Sequence, residues 1–86
     1  MTLTEEERRR IEQELEYHYE THEMYSKMRN RCARGSFVWT SYNAEARCHK
    51  AAVNAVTHVL DILGYEHTYE EVTELNRYFV HVKEKE

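Results

Sequence analysis

The sequence predicts an all-α domain, an up-down-up antiparallel three-helix bundle with a long first helix, on three observations. Proline is absent and only two glycines, Gly35 and Gly64, occur in 86 residues, a shortage of turn residues that sheets and long loops tolerate poorly. Apolar residues recur at steps of three and four through most of the chain. Two capping boxes, Thr4 with Glu7 and Thr68 with Glu71, stand where helices would begin. At this length the chain is one domain, residues 1–86, with a small core and a standing incentive to self-associate.

The first helix is expected over about 5–34. Glutamates 5, 6 and 7 suit the positive end of its dipole, Arg31 and Arg34 suit the negative end, and Gly35 fits the C′ position. Its seam is Ile11, Leu15, His18, His22, Tyr25, Arg29 and Cys32, widened on one side by Tyr17, Met24 and Met28. The segment Ser36–Ser41 reads either as a connector or as the start of the next helix, with Ser36, Thr40 and Ser41 all able to cap. The second helix is expected over about 42–63, closed by Gly64. Its apolar arc spans roughly 200°, wider than two short neighbours cover. A homodimer is therefore expected, formed around the C-terminal half of helix 1 and its Met24/Met28 shoulder. A third helix is expected over about 69–82, with Val72, Leu75, Phe79 and Val82 on one face.

Composition narrows the function classes. Charged residues make up 33% of the chain, and no apolar run approaches the roughly 20 residues that span a bilayer. The N-terminus, MTLTEEERRR, lacks the apolar core of a signal peptide, so a soluble, cytoplasmic protein is expected. Cys32 and Cys48 read as buried thiols on two helices rather than a disulfide framework. No glycine-rich phosphate loop, G-x-S-x-G motif or Ser/His/Asp order is present, which points away from an enzyme.

Two constellations remain. Residues 27–50 hold six basic side chains (Lys27, Arg29, Arg31, Arg34, Arg47, Lys50) against one acidic, Glu45, while the whole chain is at −4. With Phe37, Trp39 and Tyr42 nearby, that end of the helical hairpin reads as a basic, aromatic tip. Arg, Trp and Tyr anchor interfaces, so Arg29, Arg31, Arg34, Trp39, Tyr42 and Arg47 are the expected contacts for an acidic protein partner, with Trp39 equally readable as a plug of the bundle's end. Nucleic acid is a weaker alternative because the chain as a whole is acidic. The second constellation is polar residues inside apolar seams: His18 and His22 on helix 1, Glu45 and His49 on helix 2. If the turn centres near Gly35, His22 and His49 share a level, and the four side chains make a donor set for zinc or another divalent ion. The plainer alternative is that each histidine serves a neighbouring carbonyl, Tyr25 or Glu45. Residue 19 is Tyr, so His18 and His22 do not make the HExxH of a metalloprotease. The expectation is thus a non-enzymatic interaction or regulatory protein, with metal binding as its rival. The short, densely charged, tyrosine-rich style suits a small accessory protein of a bacterium or phage.

Overall fold

Thr4 opens the first helix as its capping box requires. Its hydroxyl accepts the Glu7 N–H at 3.1 Å, and its own N–H donates to Glu7 Oε1 at 2.8 Å. In the computed structural model, which describes residues 2–86, α1 runs Glu5–Asn30 and stops short of Arg34. Gly35, at φ +83°, is not its C′ residue; it delivers the chain to Ser36, whose Oγ accepts the Trp39 N–H at 3.1 Å and caps α2, Phe37–Ile62. Helix 2 therefore starts at Phe37 rather than at 42. Thr40 and Ser41, the competing caps, turn their hydroxyls back onto the Ser36 and Phe37 carbonyls inside the first turn. Gly64, at φ +84°, does follow the Leu63 cap as the left-handed residue that ends α2.

The third helix does not exist. Residues 65–84 form an antiparallel hairpin, β1 Tyr65–Val72 and β2 Arg77–Glu84, in register from Tyr65 opposite Glu84 to Val72 opposite Arg77. The chain is two helices and a two-stranded sheet, not an all-α three-helix bundle. This stretch is rich in Tyr, Thr, Val and Phe, which favour pleated surfaces, and it alternates with period two. Tyr78, Val80 and Val82 share the sheet face that carries Tyr65, His67 and Tyr69. Thr68 and Glu71 are strand residues, so their capping-box spacing is coincidental. The bend is a short 3-10 turn, Thr73–Leu75, closed by Asn76 at φ 51°, a conformation Asn enters more easily than other side-chain-bearing residues.

An isolated hairpin is marginal in water. Here α1 completes its outer edge. The N–H groups of Val82, Val80 and Tyr78 point away from β1 and donate to Glu12, Glu16 and Glu20 at 2.8, 2.9 and 2.9 Å. Carboxylates spaced four apart rise about 6 Å along a helix, and alternate strand residues about 7 Å, so the two ladders stay in step over three rungs. Beneath them lies one core: Leu15, Val53, Leu60, Tyr65, Val80 and Val82, flanked by Leu3, Ile11, Tyr19, Val56 and Leu63. Buried Tyr65 fixes both chain ends, accepting the Leu3 N–H at 2.7 Å and donating to Glu84 at 3.3 Å. The opposite edge, on β1, carries Glu66, Glu70 and Glu71, charges of the kind that guard an open strand.

β2 follows α1 from Glu12 only as far as Glu23, which Tyr78 reaches through its hydroxyl. Past that level no strand residue hydrogen-bonds to α1, only the hairpin turn at Asn76 faces its C-terminal part across an open groove, and Met24 is 47% exposed. Among the described residues no helix is long and apolar enough to cross a membrane.

Candidate functional site

The projecting end gathers the basic residues, and the structure divides them by role. Arg29 is committed to the fold: Nη1 donates to Asn43 Oδ1 at 2.9 Å across the helix pair, and Nε to Asn30 Oδ1 at 3.1 Å. Arg31, Arg34 and Arg47 are exposed. Trp39 and Tyr42 are half-buried, and Tyr42 lies against Tyr25 with ring centroids 6.0 Å apart. Trp39 stands seven residues before Ala46, on the α2 side that also buries Val53 and Leu60, so it closes the end of the helix pair. The exposed aromatic is Phe37, at 86%, which the sequence reading left out of its contact set. Its signal lay in the unresolved choice over Ser36–Ser41: once Ser36 is the cap, Phe37 falls on the side of α2 opposite Trp39.

Beside the tip an open groove of about 550 Å³ separates the C-terminal half of α1 from the hairpin turn. Met24 and Met28 line it together with Lys27, Arg31 and Asn76, and Glu20 and Glu23 lie toward its hairpin side. Lys27 pairs with Glu23 at 3.2 Å, leaving Arg31 as the groove's cation without a carboxylate partner among the described residues. Glu23 also accepts the Tyr78 O–H at 2.5 Å. That bond is the main reason the Glu23 carboxyl titrates below the usual range, with Lys27 adding to it. Burial, and then the hydrogen bond to Glu23 with that carboxylate's charge, hold the Tyr78 phenol far above its ordinary value of 10. Tyr78, Tyr19 and Tyr69 form an aromatic cluster, Tyr19 and Tyr78 stacked with centroids 5.3 Å apart. Burial raises the Tyr19 phenol as well, helped by Tyr69.

The seam histidines meet in a different pairing from the expected one. The turn centres on residues 33 and 34, two positions earlier than a turn at Gly35, so His18 rather than His22 is level with His49. His18 Nδ1 and His49 Nδ1 are 2.8 Å apart, a hydrogen bond in which one ring donates and the other accepts. Two nitrogens 2.0–2.1 Å from one tetrahedral ion stand about 3.3 Å apart, wider than this pair. His22 donates through Nδ1 to the Ala46 carbonyl at 2.8 Å. Glu45 approaches His49 Nε2 at 4.0 Å and Glu14 approaches His18 Nε2 at 3.9 Å, each on the side away from the shared bond. Tyr17 meets both rings edge-on and Tyr25 stacks on His49. Among the described residues no group of three or more His, Cys, Asp or Glu side chains is placed to hold a metal. The thiols also differ from expectation: Cys48 is exposed, and Cys32 lies in the turn, donating to the Met28 carbonyl at 3.3 Å.

No family model, curated protein or solved structure matches this chain. The functional reading rests on its own surfaces.

Proposed function

We propose that this chain is a non-enzymatic protein-interaction module that binds an acidic surface of another protein at its projecting helix-hairpin tip. The observation that carries the reading is the projection itself. β2 hydrogen-bonds to α1 no further than Glu23, and beyond it Met24, Lys27, Met28 and Arg31 line an open groove facing Asn76 of the hairpin turn, with Arg34 exposed in the connecting turn. Thioethers adapt to varied apolar partners, and arginines grip carboxylates in a planar fork. Together they suit a partner segment that mixes acidic and apolar residues.

A protein fits better than a nucleic acid. Glu20 and Glu23 stand in the same groove, and the chain carries 16 acidic against 12 basic side chains, which repel a polyphosphate. The test is affinity capture from the native host, run in parallel with wild-type chain and with Arg31→Glu/Arg34→Glu. Both arginines are exposed, so the variant should fold unchanged. The expected result is a protein held by wild type, lost by the variant, and released as salt rises. A partner held equally by both would remove the tip from the interaction.

A further inference from the structure

A second exposed apolar stripe, apart from the tip groove, runs along the outer side of α2. The residues packed on α1 and the hairpin, Ala46, Val53 and Leu60, recur every seven positions on one side of this helix. On the opposite side Phe37 and Ile62 are 86 and 71% exposed, and at its flank Val38 and Val59 are 48 and 52% exposed. Between these bulky ends the exposed stripe residues are Ser41, the small Ala44, Cys48, Ala51 and Ala55 at its centre, and His58. The stripe 37, 41, 44, 48, 51, 55, 58, 62 steps by four and three throughout, the period of a helix that packs lengthwise on another helix.

We infer that this face docks a second copy of the chain, α2 against α2, antiparallel, about a two-fold axis between His49 and Lys50. The argument for a second copy is the internal symmetry of the stripe, which no unrelated partner would require. With that axis Cys48 faces Ala51 of the second copy, Ala44 faces Ala55, Ser41 faces His58, and Phe37 faces Ile62. Small meets small at the centre, where the backbones must come closest, and large meets large at both ends. An isologous interface demands this self-complementarity. The flanking positions agree: Val38 falls beside Val59 of the second copy, Arg47 beside Asn54, Thr40 beside Asp61, and no like charges oppose. The helix ends agree too. α2 has no acidic residue in its first turn and no basic residue in its last. Antiparallel docking brings Asp61 of the second copy to that first turn and opposes the two dipoles. The face is independent of the tip groove, which lies on α1, so either can fail without the other.

The experiment uses the full chain with Cys32 and Cys48 changed to Ser. Two preparations are made, one carrying Ala44→Cys and one Ala55→Cys, and each is oxidised alone and after mixing. In the proposed register residues 44 and 55 of different copies face each other, whereas 44 and its own counterpart are roughly 16 Å apart along the axis, beyond the ~7 Å limit of a disulfide. Only the mixture should give a covalent dimer. Sedimentation of the unmodified chain should show a dimer, and Ala51→Glu should weaken it by about 100-fold, since two carboxylates would then crowd the axis. Ala51 is exposed in the single chain, so circular dichroism should show that variant still folded. A monomer at high micromolar concentration, a dimer indifferent to Ala51→Glu, or cross-linking of Ala44→Cys with itself would each overturn the inference.

Discussion

Glu16→Ala should be the most damaging change on the outward side of α1, although glutamate at a helix surface is normally expendable. Its carboxylate accepts the Val80 N–H at 2.9 Å, Glu16 is 9% exposed, and Val80 is 1% exposed. Truncation leaves an N–H group where water does not reach it, at a cost of about 2–3 kcal/mol for a bond to a charged acceptor. That is a large share of the roughly 5–10 kcal/mol that holds such a domain together. With an m-value near 1 kcal/mol/M, the urea midpoint should fall by about 2–3 M. The neighbouring rungs set the scale. The Glu12 side chain is 14% exposed and that of Glu20 28%, so water replaces them progressively better, and their alanine variants should cost less in that order. Glu16→Gln keeps an acceptor in place and should cost under about 1 kcal/mol. Glu16→Gln as damaging as Glu16→Ala, or Glu20→Ala worse than Glu16→Ala, would show that the carboxylates do not complete the β2 edge.

Tyr78→Phe should lower stability by about 1 kcal/mol at neutral pH by removing the O–H that Glu23 accepts. Because Glu23 titrates below its ordinary 4.5, that stabilisation is present above pH 4.5 and fades as pH falls through the lowered value, so acid denaturation curves of variant and wild type should converge. The Tyr78 phenol is shifted upward, so its contribution is full below pH 10 and is lost as pH rises toward its folded value; absorbance titration should show it ionising after the other tyrosines. Trp39→Ala should cost about 2 kcal/mol in urea denaturation, as expected of a half-buried plug, and leave binding at the tip groove intact. With His22 held on the Ala46 carbonyl and His18 on His49, excess zinc should move Tm by less than about 1 °C; a rise of several degrees that His22→Ala abolishes would show the four-ligand set assembling.

The helical pair was legible because its signals are local and reinforce one another. Thr4 with Glu7 capped α1, the four-and-three seam through Leu15 and His18 traced it, and Gly64 stopped α2. Two errors share one cause. Thr68 with Glu71 has helix-start spacing, and Val72, Leu75, Phe79 and Val82 can be drawn on one helical face, yet Tyr65, His67, Tyr69 and Tyr78, Val80, Val82 alternate equally well. Neither period wins locally. The choice falls to a long-range partner, the Glu12–Glu16–Glu20 ladder, which accepts strand N–H groups more than 55 residues away. Nothing local in the sequence marks those glutamates for that role. The histidine pairing slipped by one turn because Gly35, taken as the end of α1, in fact precedes the cap of α2. The tip's cations could be read from charge alone, and Trp39 as either plug or anchor, but not that Arg29 is spent on Asn43 or that Phe37 is the aromatic that faces outward.

The claim that the projecting tip is a docking surface is tested most directly by amide chemical shifts. The probe is a short peptide alternating glutamate with leucine, added to isotopically labelled chain at low salt. Saturable shifts should concentrate on Lys27–Arg34 and disappear in Arg31→Glu/Arg34→Glu, and binding should weaken as salt rises. Val80 and Val82, on the far side of the carboxylate ladder, should not move. Shifts that fail to saturate, or that centre on the hairpin while residues 27–34 stay still, would contradict it.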